Sequence, residues 1–348
     1  MRPKLTFVDQ TLGVAAASGC GTLDAAARRL GKISETVPLL LDLPLAILSD
    51  GAVRSELSRN ELRAELPIAP EALTQATAWG CGRVLIKPEL RDGTAMPLLQ
   101  DFLTTAATAG LRVTVYGGEL GSQPQECLDR LKSLGCFPAV TGFIVDDPDS
   151  RLEPFAVRRI ITEMRVFFQG ELEFWGRNQL GLATANAMAA ASAGAPMLAT
   201  AVGGVGQFPA LEEVLLGLGQ LLRWALPVPP DLARDCHAVL ESIGRTVAPT
   251  KAIIGPDIFA HESGIHVDGV IKKSELYEPF PPEIVGLERK IVIGKHSGKA
   301  ALELKLRALR IPVEPEQLPR ILEGVRRLAV AQKAPVIDEQ LRELARGV

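Results

Sequence analysis

Histidine is scarce in this sequence and unevenly placed. Four histidines occur among 348 residues, and the first of them is His237. Histidine is the side chain that most often carries protons near neutral pH, and it is the commonest protein ligand of transition metals. Any chemistry in the first two thirds of the chain must therefore use other residue types.

The sequence also lacks a surplus of either charge. It has 38 basic and 41 acidic residues, a formal net charge of −3 and no basic run, so we expect no nucleic-acid partner. The five cysteines show no CxxC spacing. This pattern favours reduced thiols in a cytoplasmic protein over a disulfide framework or a zinc site.

Long apolar runs are missing as well. Val37–Leu48 is interrupted by Asp42, and Ala187–Val205 consists largely of Ala and Gly and contains Pro196. Neither segment is a convincing membrane span, so we expect no membrane contact. The N-terminus leads directly into a strand-like segment, and no signal peptide is expected.

Strand-like and helix-like segments alternate over the first 225 residues or so. The candidate strands are Leu5–Val8, Val37–Leu41, Val84–Ile86, Arg112–Tyr116, Gly142–Val145, Leu172–Trp175 and Met197–Val202. The candidate helices are Leu23–Leu30, Glu56–Glu65, Met96–Ala109, Gln125–Leu134, Pro154–Phe168, Leu180–Ala193 and Leu211–Trp224. With an eighth unit that has no clear strand, this order predicts an α/β fold of the (β/α)8 TIM-barrel type. A doubly wound open sheet is the alternative, but no Gly-x-Gly-x-x-Gly follows an early strand.

The alternation stops at the proline-rich segment Ala225–Pro230, which contains three prolines in four residues. We therefore expect a barrel domain over residues 1–228 and a mostly helical C-terminal region over 229–348. Its tail, Pro312–Val348, has the pattern of two charged amphipathic helices separated near Ala334 and Pro335.

One loop after a predicted strand carries a recognisable motif, Phe174–Asn186. Loops that follow barrel strands are where barrel enzymes place their chemistry. The segment resembles the homocitrate synthase and isopropylmalate synthase family, in which this loop reads His-Gly-His-Asn-Asp-Leu-Gly-Leu-Ala-Thr-Ala-Asn. The two histidines of that family bind a catalytic divalent metal, and Trp175 and Arg177 stand at their positions here.

The C-terminal part follows the family pattern more closely. The matching segments, in the order and spacing of the family, are Phe259–Gly269, Leu276–Pro279, Val285-Gly286 and Gly294–Gly298. Within the family they resemble in particular the homocitrate synthase of nitrogen fixation. The resemblance covers nearly the whole chain and implies condensation of acetyl-CoA with 2-oxoglutarate to homocitrate, for nitrogenase cofactor biosynthesis.

The barrel motifs depart from the family at single positions. The signature Asp-Thr-Thr-Leu-Arg-Asp-Gly-Glu-Gln becomes Asp9–Ala17, with Gly13 in place of the arginine and Val14 in place of the metal-binding acid. The segment Gly117–Gln123 keeps Glu119 and loses the following arginine. The metal-proximal Asn of a later turn has no counterpart in Gly204–Pro209.

These departures decide the expected cofactor. With Val14, Trp175 and Arg177 at the ligand positions, we expect no metal and therefore no cofactor. The adjacent acids Asp146 and Asp147 are a weaker candidate metal pair. Arg177 is a permanent cation able to bind the carboxylate of a keto acid, and Thr200 is a second candidate substrate-binding residue.

The candidate catalytic residues are Glu119, His266 and Tyr277. In the family, the histidine and the tyrosine at the last two positions reach into the neighbouring subunit and help to activate acetyl-CoA. The alternative is that the C-terminal histidines only pack or cap a retained scaffold. Two functional hypotheses follow. The chain is an impaired acyltransferase, or it is a silent subunit that lends its C-terminal region to an intact paralogue. In either case we expect a homodimer or a heterodimer with a paralogue.

Overall fold

A computed structural model describes residues 4–19, 21–57, 62–88, 95–262 and 277–347. The chain divides into two compact units, Met1–Val247 and Ala248–Val348. The boundary expected at residue 228 lies before this division, because the helix Leu232–Ser242 packs against the helix Leu23–Ser34 of the first unit. In that contact Lys32 pairs with the buried Asp235 at 3.0 Å.

The first unit is a closed barrel of eight parallel strands, so the predicted fold class is confirmed. The strands are β1 (Thr6–Asp9), β2 (Leu39–Pro44), β3 (Leu62–Leu66), β4 (Arg83–Ile86), β5 (Arg112–Glu119), β6 (Val140–Asp146), β7 (Glu171–Trp175) and β8 (Met197–Thr200). Strand β8 closes the barrel by pairing with β1, with Thr6 opposite Met197 and Asp9 opposite Thr200. Each of the seven strands predicted from the sequence overlaps one of these.

The helix predicted at Glu56–Glu65 is wrong. Its second half is strand β3, which pairs with β2 and β4 and is the eighth strand that the sequence did not locate. Leu62, Ala64 and Leu66 alternate with charged residues and are buried, so a period of two was present. The charged Arg63 obscured it, because arginine is rarely found fully buried.

The helices of the first unit surround the barrel. They are α1 (Thr11–Ala17), α2 (Leu23–Ser34), α3 (Leu45–Leu48), α4 (Gly51–Ser55), α5 (Pro70–Ala78), α6 (Ala95–Thr108), α7 (Pro124–Leu134), α8 (Pro154–Phe167), α9 (Ala183–Ser192), α10 (Leu211–Gln220) and α11 (Leu232–Ser242). A short 3-10 segment, Val202–Gln207, follows β8. None of the described helices is long and apolar enough to cross a membrane.

Side chains that point into the barrel form layers along its axis. One layer is apolar and contains Val8, Leu40 and Met197. A polar layer follows and consists of Asp42, Arg63, Thr114 and Glu173, joined by hydrogen bonds. The layer nearest the C-terminal ends of the strands is again apolar and contains Leu85, Ile144, Trp175, Ala199, Ala201 and Phe208. This last layer forms the floor of the barrel mouth.

The second unit has its own core. Strands β9 (Ala260–His261) and β10 (Lys290–Ile291) pair in parallel, and helices α12 (Lys299–Ala308), α13 (Leu318–Gln332) and α14 (Asp338–Arg346) follow. The two helices predicted in the tail are thus confirmed as α13 and α14, separated near Ala334. Apolar residues from all three helices share one cluster, including Leu302, Val325 and Leu341.

Candidate functional site at the barrel mouth

The fold brings together Val14, Trp175 and Arg177, the residues that the resemblance sets at metal-ligand positions. Trp175 ends β7 and is buried against Ala199, Ala201 and Phe208. Val14, on helix α1, packs against the same cluster. The resemblance predicts that Val14 and Trp175 lie in one site. In the folded chain they do lie together, in an apolar cluster.

Aromatic rings and two cations surround Trp175. Its ring centroid lies 5.8 Å from that of Phe208 in an edge-on arrangement, and 6.1 Å from that of Tyr116. The Arg177 guanidinium carbon lies 4.0 Å from the Phe208 ring centroid and 5.6 Å from that of Trp175. The Lys87 ammonium lies 5.4 Å from the Trp175 centroid. Both cations are therefore within reach of favourable contacts with the indole face.

Each cation also faces a carboxylate. Arg177 Nη1 lies 3.3 Å from Asp146 Oδ1, and Lys87 Nζ lies 2.8 Å from Glu65 Oε1. The Tyr116 hydroxyl donates to Asp146 Oδ2 at 3.2 Å. Burial raises the pKa of Asp146 to about 6, although Arg177 and Tyr116 oppose this shift. Burial and the neighbouring Asp146 likewise raise the pKa of the Tyr116 phenol. The Arg177–Asp146 pair therefore changes its charge within a few pH units of neutrality.

The polar layer beneath Trp175 is an ion network with no exposed member. Arg63, fully buried, donates to both carboxylate oxygens of Asp42 at 2.5 and 2.6 Å. It also donates to both oxygens of Glu173 at 2.6 and 3.1 Å. Gln10 adds a further hydrogen bond to Asp42 at 2.7 Å. Every group of this network is paired, as buried charges require.

This network reaches the mouth through one side chain. The indole N–H of Trp175 donates to Glu173, so the ring is anchored from below. Burial raises the pKa of Glu173, and the charge of Arg63 opposes this rise. Glu173 accepts hydrogen bonds from Arg63 and from Trp175. Because both partners are donors, they favour the ionised carboxylate.

Asp9 occupies the first position of the N-terminal motif and is also buried. Its two oxygens accept from the backbone N–H and the hydroxyl of Thr11 at 2.9 and 2.8 Å. The Thr11 hydroxyl in turn accepts from the backbone N–H of Val202 at 2.9 Å. Burial raises the pKa of Asp9 to about 7, with smaller contributions from Asp42 and Glu212. Asp9 thus ties the start of α1 to the loop after β8.

The donors at the mouth do not fit a divalent metal. Among the residues described, no group of three or more His, Cys, Asp or Glu side chains is arranged to hold one. The positions that the resemblance assigns to the metal ligands hold an isopropyl group, an indole and a guanidinium, and none of these binds a hard or borderline dication. Asp147, part of the weaker candidate pair, accepts instead from the backbone N–H groups of Arg151 and Leu152.

The other predicted site residues are Glu119, Thr200, Tyr277 and His266. Glu119 ends β5 beside Asp146, is exposed and accepts from the Ser122 hydroxyl at 2.8 Å. Thr200 is buried, and because Ala199 and Ala201 point into the barrel, its side chain points to the opposite face of β8. Tyr277 belongs to the second unit and is 39% exposed. His266 lies outside the described residues.

Sequence reasoning missed most of the groups that shape the mouth, namely Lys87, Phe208, and the buried Arg63 and Glu173. Of these four residues, only Arg63 and Glu173 could have been recognised from the sequence pattern. Each sits one residue from apolar positions in a strand of alternating pattern, where an inward charge needs a partner across the barrel.

Three comparisons identify relatives of this chain. The family model described as homocitrate synthase post-HMGL domain-like matches residues 253–333. Homocitrate synthase 1 of Nostoc sp. is 34% identical over 71% of this chain and 67% of its own length. The 2-isopropylmalate synthase 2 of Caldanaerobacter subterraneus is 39% identical over 57% of this chain, which spans 52% of that relative.

Among solved structures, the HMG-CoA lyase of Bacillus subtilis superposes with a TM-score of 0.58 at 14% identity, covering 71% of this chain and 96% of the lyase. That likeness concerns the barrel fold alone. The sequence matches show more than the fold. On their evidence the chain belongs to the family of homocitrate and 2-isopropylmalate synthases.

Proposed function

We propose that this member of the homocitrate and 2-isopropylmalate synthase family is a homocitrate synthase-like protein that binds 2-oxoglutarate but condenses it with acetyl-CoA weakly or not at all on its own. The reaction in question joins the acetyl methyl carbon to the keto carbon and releases free CoA by hydrolysis. By resemblance, its product would serve nitrogenase cofactor biosynthesis in the cytoplasm.

The observation that carries this proposal is the packing of Trp175 and Val14 with Phe208, at the positions of the metal ligands. A divalent metal acts as a Lewis acid on the keto oxygen, and no side chain at these positions replaces that role. Removing one preorganised electrostatic group typically costs about 10²–10³ in rate. The loss of several groups removes most of the catalysis.

Substrate binding rests on different residues. Arg177 faces the mouth with 16% of its side chain exposed, and its partner Asp146 gains a proton near pH 6. A substrate carboxylate competes with Asp146 for the guanidinium, whose planar fork suits carboxylates. Lys87, near the same indole, offers a second cation for the other carboxylate of 2-oxoglutarate.

The binding test is isothermal titration of 2-oxoglutarate into the full chain and into Arg177→Gln. We expect a loss of affinity of about tenfold, which corresponds to one charge-assisted hydrogen bond. Arg151→Gln is the matched control, because Arg151 pairs with Asp149 on an exposed loop beside the barrel mouth. Equal affinities of the wild-type chain and Arg177→Gln would remove Arg177 from the binding site.

The part of the chain that matches the family model favours a second candidate function. It covers residues 253–333, the part of the chain that contains His266 and Tyr277. In the family resembled, these positions complete the barrel of the neighbouring subunit. The chain would then act as a non-catalytic subunit for an intact paralogue.

The partner role is tested by co-expression with an intact homocitrate synthase whose equivalents of His266 and Tyr277 have been mutated. Restored condensation that His266→Ala abolishes would establish complementation in trans. If the two chains co-purify without any activity, the motifs are structural and the partner role is wrong.

A further inference from the structure

The motif Gly294–Gly298 lies in the second unit, where it forms one wall of a cleft. The cleft has a volume of about 320 Å³, at the lower end of the range of small-molecule sites. Its lining residues come from two places, the motif with Glu262 on one side and the C-terminal end of α13 with the turn after it on the other.

Hydrogen bonds hold the motif wall in place. Ser297 is fully buried, and its hydroxyl accepts from the backbone N–H of Gly294 at 2.9 Å. Arg326 of α13 donates twice to the carbonyl of Ser297, at 2.8 and 3.2 Å. The Glu262 carboxylate accepts from the backbone N–H of His296 at 2.9 Å. A Cβ on Gly294 would meet that carboxylate at 2.5 Å, so a larger residue there would have to displace the Glu262 side chain.

Two lysines are among the residues that line the cleft. Lys295 belongs to the motif, and Lys333 follows α13. Within the described part of the chain, neither ammonium group has a carboxylate partner. Glu262 is the acidic residue of the lining, so the lining as a whole carries one net positive charge.

Lys333 has a backbone conformation that is strained for any residue with a Cβ. Its φ is 53° and its ψ is 32°, a left-handed conformation at the end of a helix where glycine or asparagine is normally preferred. The turn is held in place because the Gln332 amide donates to the carbonyls of Ala334 and Pro335. A residue other than glycine in this conformation is strained, which motivates the hypothesis that the lysine side chain has a role at the cleft.

We propose that this cleft binds a small organic phosphate, with Lys295 and Lys333 as its charge partners. A phosphate monoester carries close to two negative charges at neutral pH and so matches two ammonium groups, whereas a carboxylate matches one. Ala329, Val330 and Pro335 form the apolar part of the lining and receive the organic part of the ligand.

Phenyl phosphate is a suitable probe, with inorganic phosphate and benzoate for comparison, in NMR or calorimetric titrations of the full chain. Phenyl phosphate is expected to bind more tightly than either of the others. Lys295→Gln and Lys333→Gln should each weaken its binding about tenfold. Lys290→Gln is the matched control, because Lys290 lies in the same unit and pairs with Asp257 outside the cleft.

Lys333→Gly separates binding from folding. Glycine relieves the left-handed strain, so the thermal midpoint should rise while phenyl phosphate binding falls as in Lys333→Gln. Unchanged binding in Lys333→Gly would overturn the proposal, as would equal affinity for benzoate and phenyl phosphate. Failure of the wild-type chain to bind phenyl phosphate at millimolar concentration would overturn it as well.

Discussion

The indole N–H of Trp175 donates a hydrogen bond to the carboxylate of Glu173, two residues earlier on the same strand. Glu173 is held in turn by two hydrogen bonds from the buried guanidinium of Arg63. The side chain of Trp175, which the resemblance sets at a metal-ligand position, is therefore fixed by an ion network beneath it. Through this network Trp175 at the barrel mouth is connected to the buried polar layer of the barrel.

Glu173→Gln tests the network. The substitution keeps the shape of the side chain but leaves Arg63 with Asp42 as its remaining carboxylate, and breaking a buried pair costs about 3 kcal/mol or more. Urea denaturation measures the loss. Glu171→Gln on the same strand is the control, because its ion pairs are partly exposed and contribute roughly 1 kcal/mol or less. Equal effects of the two substitutions would show that the network does not stabilise the barrel.

Asp9 should make the stability of the protein depend on pH. Its pKa is raised to about 7 in the folded chain from 3.8, so the folded state binds the proton more tightly than the unfolded state. The corresponding stabilisation is fully present below pH 3.8 and is lost as the pH rises through about 7. The free energy of unfolding of Asp9→Asn should lack this slope of up to about 1.4 kcal/mol per pH unit. An unchanged slope in the variant would contradict the assignment.

The barrel was predictable because its outward strand faces are apolar and its helices follow in a regular order. Strand β3 was not, since Arg63 and Glu65 suggest an exposed helix until their partners on other strands are known. The sequence placed Val14, Trp175 and Arg177 in one site through the family motifs. It did not reveal Phe208 as the residue that packs with them, because contacts between distant loops leave no local pattern.

The Asp146–Arg177 pair should make the binding of 2-oxoglutarate depend on pH. As the pH falls through about 6, Asp146 gains its proton and releases Arg177. Affinity should therefore rise between about pH 7.5 and about pH 5.5, a range in which the substrate carboxylates stay ionised. Asp146→Asn should bind about tenfold more tightly than the wild-type chain at the higher pH and lose this dependence. Calorimetric titrations across the range measure both effects. If the affinities of the wild-type chain and of Asp146→Asn changed with pH in the same way, Asp146 would not compete with the substrate for Arg177.

Restoring the ligands should restore metal affinity before activity. Val14→Asp with Trp175→His and Arg177→His rebuilds the ligand set, but Gly13 still lacks the arginine that polarises the keto acid in the family. Metal titration should show binding by this variant, with little turnover of acetyl-CoA. A rate of ~1 per second or more in the triple variant would show that the arginine position is dispensable.

The most direct test of the central claim is to measure the metal content of the purified chain and its release of CoA from acetyl-CoA in the presence of 2-oxoglutarate and added divalent metal. We expect no stoichiometric metal after desalting. We also expect turnover of roughly 0.1 per second or less, since typical enzymes reach about 10 per second and losing even one electrostatic group costs about 10²-fold. One equivalent of tightly held metal, lost together with turnover of ordinary rate when a mouth residue is substituted, would contradict the account.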